Sequence, residues 1–210
     1  WMRSLGTLKR VDVVFRRGDA EYADPLDLRP DSKLGVVGLV EAQRRGAVSV
    51  VNTFGSGILE SPGLQRFLPQ IAERLFGEKP LLNTPELYWG GIDKELSHIL
   101  ANLPSLLIKS AVGEDTVVGA ELSALERDTL AARIKATPWH WVGQDPPQFS
   151  VVPADHDAAG LSRARVGSRL FTVAQSGGYA AMVGGLGYVL ESGSRAYRLK
   201  TAAAKDIWVR

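Results

Sequence analysis

Residues 48–62 constrain this chain most. Val48, Val50 and Val51 form a β-branched run that delivers Asn52 to its end. A Gly55-Ser56-Gly57 turn follows, and Ser61-Pro62 reads as a helix N-cap with proline at the first helical position. A strand, a glycine turn and a helix start in that order put an amide, a hydroxyl and free backbone N–H groups at one strand end. Such an end can hold phosphate or a phosphate-bound metal. By itself, however, a Gly-x-Gly more often marks a tight connection than a phosphate cradle.

Upstream, Val11, Val13, Val14 and Phe15 make a short apolar run interrupted by Asp12 and bounded by Lys9-Arg10 and Arg16-Arg17. The run predicts a buried strand with one carboxylate inside it. Such a carboxylate needs either a flanking arginine or a bound cation, and the residues leave both open. Arg29-Pro30-Asp31-Ser32 then gathers a guanidinium, a carboxylate and a hydroxyl around a rigid proline, with Asp31 or Ser32 placed to cap a helix over 34–45. Gly35 and Gly38 weaken that helix, and Arg44-Arg45-Gly46 closes it. Strand, helix, strand at this spacing implies a crossover between parallel neighbours, with Asp12 and Asn52 facing each other.

Downstream, Leu64, Phe67, Leu68, Ile71, Leu75 and Phe76 recur at helical spacing before Gly77, which predicts a helix whose apolar face belongs to the core. A second helix is expected over 93–103. A short apolar strand at 105–108 ends in Lys109-Ser110. A lysine there either snorkels to solvent or points into a cleft as a fixed positive charge for phosphate. Ser123 and Glu126 make a capping box, and Pro138 closes that helix. A strand at 139–142 runs into Gln144-Asp145-Pro146-Pro147, whose prolines force an extended exit and leave backbone groups suited to a flat heterocycle. Residues 155–164 read as a polar loop. Ser176-Gly177-Gly178 joins strands at 166–175 and 179–183, and 188–191 reads as a third strand.

Composition sharpens the chemistry. With no cysteine, thiolate zinc sites and disulfides are excluded, and His98, His140 and His156 lack ligand spacing, so any metal is held by oxygen and is most simply magnesium. A formal charge of +2, spread along the chain, gives no case for nucleic acid. No apolar run approaches the ~20 residues of a membrane span, so the expectation is a cytoplasmic protein with no membrane partner. Trp1 opens the chain without a polar tail, which suggests a piece of a longer polypeptide.

Several of these segments resemble the ATP-grasp ligases, nearest in pattern to the D-alanine–D-alanine ligases. Arg10-Val11-Asp12 resembles their metal-aspartate strand and Val51-Asn52-Thr53 their metal-asparagine strand. Ile108-Lys109-Ser110 resembles the lysine strand that contacts ATP phosphates, and Val142-Gly143-Gln144-Asp145 the hinge that hydrogen-bonds adenine. The order is swapped relative to those ligases. Residues 11–17, 28–32, 34–39, 52–62, 106–111, 169–174 and 205–209 together resemble the circularly permuted ATP-grasp type 2 proteins.

That resemblance implies an α+β fold, with mixed and antiparallel sheets packed against helices. It covers one region, 1–210, with a metal and phosphate lobe at 1–104 and a lysine-strand and hinge lobe at 105–210. It also implies ATP- and magnesium-dependent joining of a carboxylate to an amine, on small-molecule or peptide substrates, through an acyl phosphate. The remainder of the same polypeptide on the N-terminal side would complete the cleft. Asp12 and Asn52 would hold magnesium. Lys109, Gln144, Asp145, Gly55, Ser56 and Gly57 would hold ATP, and Arg16, Arg17, Arg29 or Arg169 would meet the transferring phosphoryl group. Val50 stands where the wider ligases carry a metal-binding glutamate, Gly187-Tyr188 where the family tends to Thr-Arg, and residues 202–204 are alanines where a Gly-Ser turn is expected. A degenerate domain with an interaction or regulatory role is therefore the alternative.

Overall fold

The structure, a computed structural model, describes residues 1–112, 116–154, 160–190 and 203–208. Parts of the expected loops at 111–119 and 155–164, the end of the expected strand at Glu191, Ala202 and Val209 lie outside the described residues. The chain opens with a hairpin of β1 (Met2–Ser4) and β2 (Thr7–Lys9), turned at Leu5 and Gly6, both at positive φ. The expected crossover is present. β3 (Val13–Phe15) and β4 (Ser49–Val51) pair in parallel, with Val13 opposite Ser49 and Phe15 opposite Val51.

Asp12, expected inside a buried run, precedes β3. It is 72% exposed and ion-paired with Arg10 at 2.7 Å. The connecting helix α1 (Leu39–Arg44) is also shorter than its sequence pattern, because Gly38 sits at φ 80° and ends the preceding loop instead of continuing a helix.

After β4 the Gly-Ser-Gly segment winds into a 3-10 turn over Phe54–Glu60, and α2 (Pro62–Phe76) follows. Both ends of α2 are as the sequence predicts. The Ser61 hydroxyl accepts the Leu64 N–H, and Gly77 closes the helix at φ 69°. Its apolar face is not core, however: no α2 residue is buried, and Phe76 is 74% exposed. The Phe67 ring meets the edge of Trp89 at 5.8 Å and carries the Arg66 guanidinium over it at 5.5 Å.

The main core lies under an antiparallel sheet ordered β5 (Leu87–Trp89), β8 (Trp141–Gln144), β6 (Leu107–Ser110), β7 (Thr116–Val118). Helices α3 (Asp93–Ala101) and α4 (Ala124–Ala136) cover one face, burying Ile99, Leu103, Leu106, Ile108, Leu130, Ile134 and Trp141 together. Ser123 and Glu126 make both halves of the predicted capping box. Gly143 admits this packing, since a Cβ there would stand 2.9 Å from Ile99. Strand β5 and helix α3, which precede residue 104, complete the sheet and core of the elements that follow it.

A second antiparallel sheet runs β12 (Ala203–Trp208), β11 (Gly178–Leu190), β10 (Ser162–Gln175), β9 (Ser150–Ala154). The hairpin predicted at residues 176–178 joins β10 to β11. Tyr188 does not begin a third strand. It lies within β11, which continues past Gly184 and Gly185 because both strands lengthen together.

Candidate functional site

Alternation along β6 determines where Lys109 goes. Ile108 faces α3 and α4, so Leu107 and Lys109 face the opposite side of the sheet. Register sets two rows across that side, Trp89–Val142–Lys109 and Leu87–Gln144–Leu107. Lys109 is thus a half-buried cation beside buried Val142, with buried Gln144 diagonally adjacent. Burial lowers its ammonium pKa from the ordinary lysine value. Its ammonium group has no hydrogen bond or ion pair among the described residues. At the expected hinge, the Asp145 N–H is already donated to the Glu86 carbonyl at 3.0 Å, so that group is not free for a heterocycle.

A second cluster forms where β3 and β4 end. The Arg16 guanidinium reaches across the pair to the Asn52 carbonyl at 3.2 Å, the Thr53 carbonyl at 3.1 Å and the Ser56 hydroxyl at 3.5 Å, and it also donates to the Gly18 carbonyl. The Asn52 amide donates to the Arg16 carbonyl at 3.4 Å. Arg16, Asn52 and Ser56 are brought together, with Gly55 and Gly57 beside them and open space where each would carry a Cβ. The Ser56 N–H, though, is spent on the Thr53 carbonyl. Asp12 and Asn52 are not brought together. Parallel pairing puts Asp12 at the start of the pair and Asn52 past its end, about 13 Å apart along the strands. No cluster of three metal-ligating acids or histidines occurs among the described residues.

The two clusters are tied to each other. The Ser61 hydroxyl, at the head of α2, donates to the Ala111 carbonyl at 2.7 Å, two residues past Lys109. The glycine turn that ends at Ser61 is thereby fastened to the end of the lysine strand.

The remaining arginines are dispersed. Arg29 is held by Asp31 and Glu21 at 2.9 Å each and by the Tyr22 hydroxyl at 2.6 Å, stacked over the Tyr22 ring. The Asp31 hydrogen bond raises its pKa further. Arg17 is exposed and without an ion pair among the described residues. Arg169 lies on β10, over the Tyr188 ring at 5.6 Å.

Asp24 is the residue that sequence reasoning missed. Fully buried, its carboxylate accepts the N–H groups of Leu26 at 2.9 Å, Gly38 at 3.2 Å and Val40 at 2.9 Å. It caps α1 from a distant loop, and the available signal was Gly38, a helix start with no capping side chain of its own.

The sequence profile of the circularly permuted ATP-grasp type 2 proteins matches residues 1–189. The chain belongs to that family. Within it, an uncharacterized protein of Mycobacterium tuberculosis is 69% identical over 210 residues, covering all of this chain and 24% of the relative. An uncharacterized protein of Synechocystis is 35% identical over 155 residues, covering 72% of this chain and 32% of the relative. A further M. tuberculosis protein, also uncharacterized, is 32% identical over 214 residues, with all of this chain and 39% of the relative covered. The chain thus spans about a quarter to two fifths of the length of these relatives.

Family membership carries an ATP-dependent ligase-type fold. Lys109 and Gln144 fit the nucleotide such a fold takes, being a half-buried cation with no ion pair among the described residues and a buried amide on one sheet face. Asp12 and Asn52 do not fit magnesium as a pair. No helix among the described residues is long and apolar enough to cross a membrane.

Proposed function

We propose that this domain carries the nucleotide-binding face of an ATP-dependent ligase that joins a carboxylate to an amine. The observation that carries the reading is Lys109, a desolvated cation with no counter-ion among the described residues, held on the same sheet face as Gln144. A cation in that setting is stabilised when a phosphate arrives. In the reaction, a carboxylate oxygen attacks the terminal phosphorus of ATP and the bond to ADP breaks. The amine nitrogen then attacks the acyl carbon and inorganic phosphate leaves. Lys109 neutralises the phosphate charge, and the Ser61 tie keeps the Asn52–Ser56 turn beside its strand. The chain's length relative to its relatives suggests that the rest of a longer polypeptide supplies the other wall of the cleft and the site for the second substrate.

Thermal unfolding with and without MgATP tests this. Nucleotide at about a hundredfold its dissociation constant adds ~2.7 kcal/mol, roughly 5–10 °C for a chain of this size. The wild type should show that shift and Lys109→Met should lose it, while the unliganded variant is at least as stable because an unpaired charge has left the sheet. Equal shifts in both proteins would refute the role of Lys109.

The separation of Asp12 from Asn52, with Arg16 and Arg29 engaged internally, favours a second reading. In it the domain keeps the fold and serves as an interaction or regulatory module. Absence of any MgATP shift in the wild type, with a specific partner retained on purification, would select it.

A further inference from the structure

The β9–β12 sheet has two unlike faces. Ala154, Ala164 and Val189 are buried together on one, and on the other Leu190 is buried opposite Arg165. Arg163, Arg165, Gly167 and Arg169 alternate onto that second face. The three arginines are exposed and have no ion pair among the described residues. Arg10, Arg29, Arg44, Arg45 and Arg66, by contrast, each meet a carboxylate. Among the described residues, three guanidinium groups along one strand face thus have no carboxylate partner.

What lies between the arginines is aromatic. Gly167 pairs with Tyr188, and a Cβ at Gly167 would stand 3.9 Å from the Phe149 ring and 4.0 Å from the Tyr188 ring. Two rings therefore close over the glycine and floor the gap between Arg165 and Arg169. The Tyr188 hydroxyl is buried with no hydrogen-bond partner among the described residues. At the sheet edge beside Arg163 lies an open hollow of about 280 Å³, lined by Val151, Pro153 and Leu161 from this face and by Val152 and Ser162 from the other. Asp206 shares the face, in the row of Arg169 but two strands away, at about 9.5 Å.

Spacing identifies the complement. Arg163 and Arg165 are about 7 Å apart and Arg165 and Arg169 about 14 Å, the intervals at which an extended peptide repeats its own alternate side chains. We propose that this face binds an extended acidic peptide. Its carboxylates meet the three guanidinium groups, and an apolar side chain occupies the hollow. The proposal rests on the ligase reading for the peptide's role as the carboxylate substrate, and on the sheet alone for its binding. The fork of each arginine takes a carboxylate bidentately.

Fluorescence anisotropy with a labelled hexaglutamate tests it, in the absence of nucleotide and beside hexaglutamine and a hexathymidylate of similar charge. Hexaglutamate should bind, hexaglutamine should not, and affinity should fall with salt. Arg163→Gln with Arg165→Gln should weaken hexaglutamate about tenfold while leaving thermal stability unchanged, as exposed charge contacts of this kind do. No hexaglutamate binding, equal binding of hexaglutamine, tighter binding of hexathymidylate, or full affinity in the double variant would each overturn the proposal. Lys109→Met should bind hexaglutamate normally. Loss of the MgATP shift with peptide binding intact would therefore fault the ligase reading and leave this face standing.

Discussion

Asp24 offers the clearest energetic test of how this fold is held. Its Oδ1 accepts from Leu26 and Gly38, and its Oδ2 accepts from Val40. In Asp24→Asn one oxygen remains, and an amide donor replaces the other, facing the Val40 N–H. One buried N–H is orphaned and two hydrogen bonds lose their charge, a loss of about 3 kcal/mol when each is taken at its usual size. For a chain of this length that lowers Tm by roughly 6–12 °C. The pH dependence has a definite sign. Burial raises the Asp24 pKa, but the backbone N–H groups of Val40, Leu26 and Gly38 outweigh it, so the folded value lies below the ordinary 3.8. The contribution to stability is then present above the ordinary value and lost as pH falls through the folded one. Urea unfolding across the acid range, with amide exchange read at Val40 and Gly38, measures both effects. A loss under about 0.5 kcal/mol with exchange at Val40 unchanged would refute the role given to this carboxylate.

The features legible in the sequence are those with a local cause. Ser61 before Pro62, Ser123 three residues before Glu126, and Ser176-Gly177 between alternating runs each determine their own backbone within a few residues, and each appears as read. Lys109 was legible as a conflict, because a charge closing an apolar strand has to go somewhere. Features set by pairing between distant segments were not. Asp24 acts on α1 from sixteen positions upstream. Strand β9 is recruited by β10 from a stretch that shows only an extended exit from two prolines. The expectation that Asp12 faces Asn52 failed on a consequence of its own premise. A crossover makes the strands parallel, and parallel strands start together and end together, so a residue before one does not meet a residue after the other. The resemblance assigns Arg29 to the phosphoryl group and the sequence places Asp31 as a helix cap, whereas in the structure Asp31, Glu21 and the Tyr22 hydroxyl all hold the Arg29 guanidinium.

Two further residues join the site to the core. Ser61→Ala removes a helix cap and the hydrogen bond to the Ala111 carbonyl, each worth about 1 kcal/mol. Urea unfolding should show their sum, and the MgATP shift should shrink because the turn at 53–60 is released from the Lys109 strand. Glu95 sits only 13% exposed on α3 and takes hydrogen bonds from Arg66 on α2 and from the Trp89 N–H on β5. Burial raises its pKa, but the Arg66 and Trp89 hydrogen bonds bring it below the ordinary 4.5. The wild type therefore loses this contribution as pH falls through the folded value, and Glu95→Gln should lack that limb. Above the ordinary value the variant should be less stable by about 2 kcal/mol, short of the ~3–5 kcal/mol of a fully buried pair, since the stranded guanidinium still touches water. A stability profile with the same acid slope in both proteins would show that Glu95 is not what joins α2 to the sheet, and that the half-covered helix is held by Ser61 and the Phe67–Trp89 contact instead.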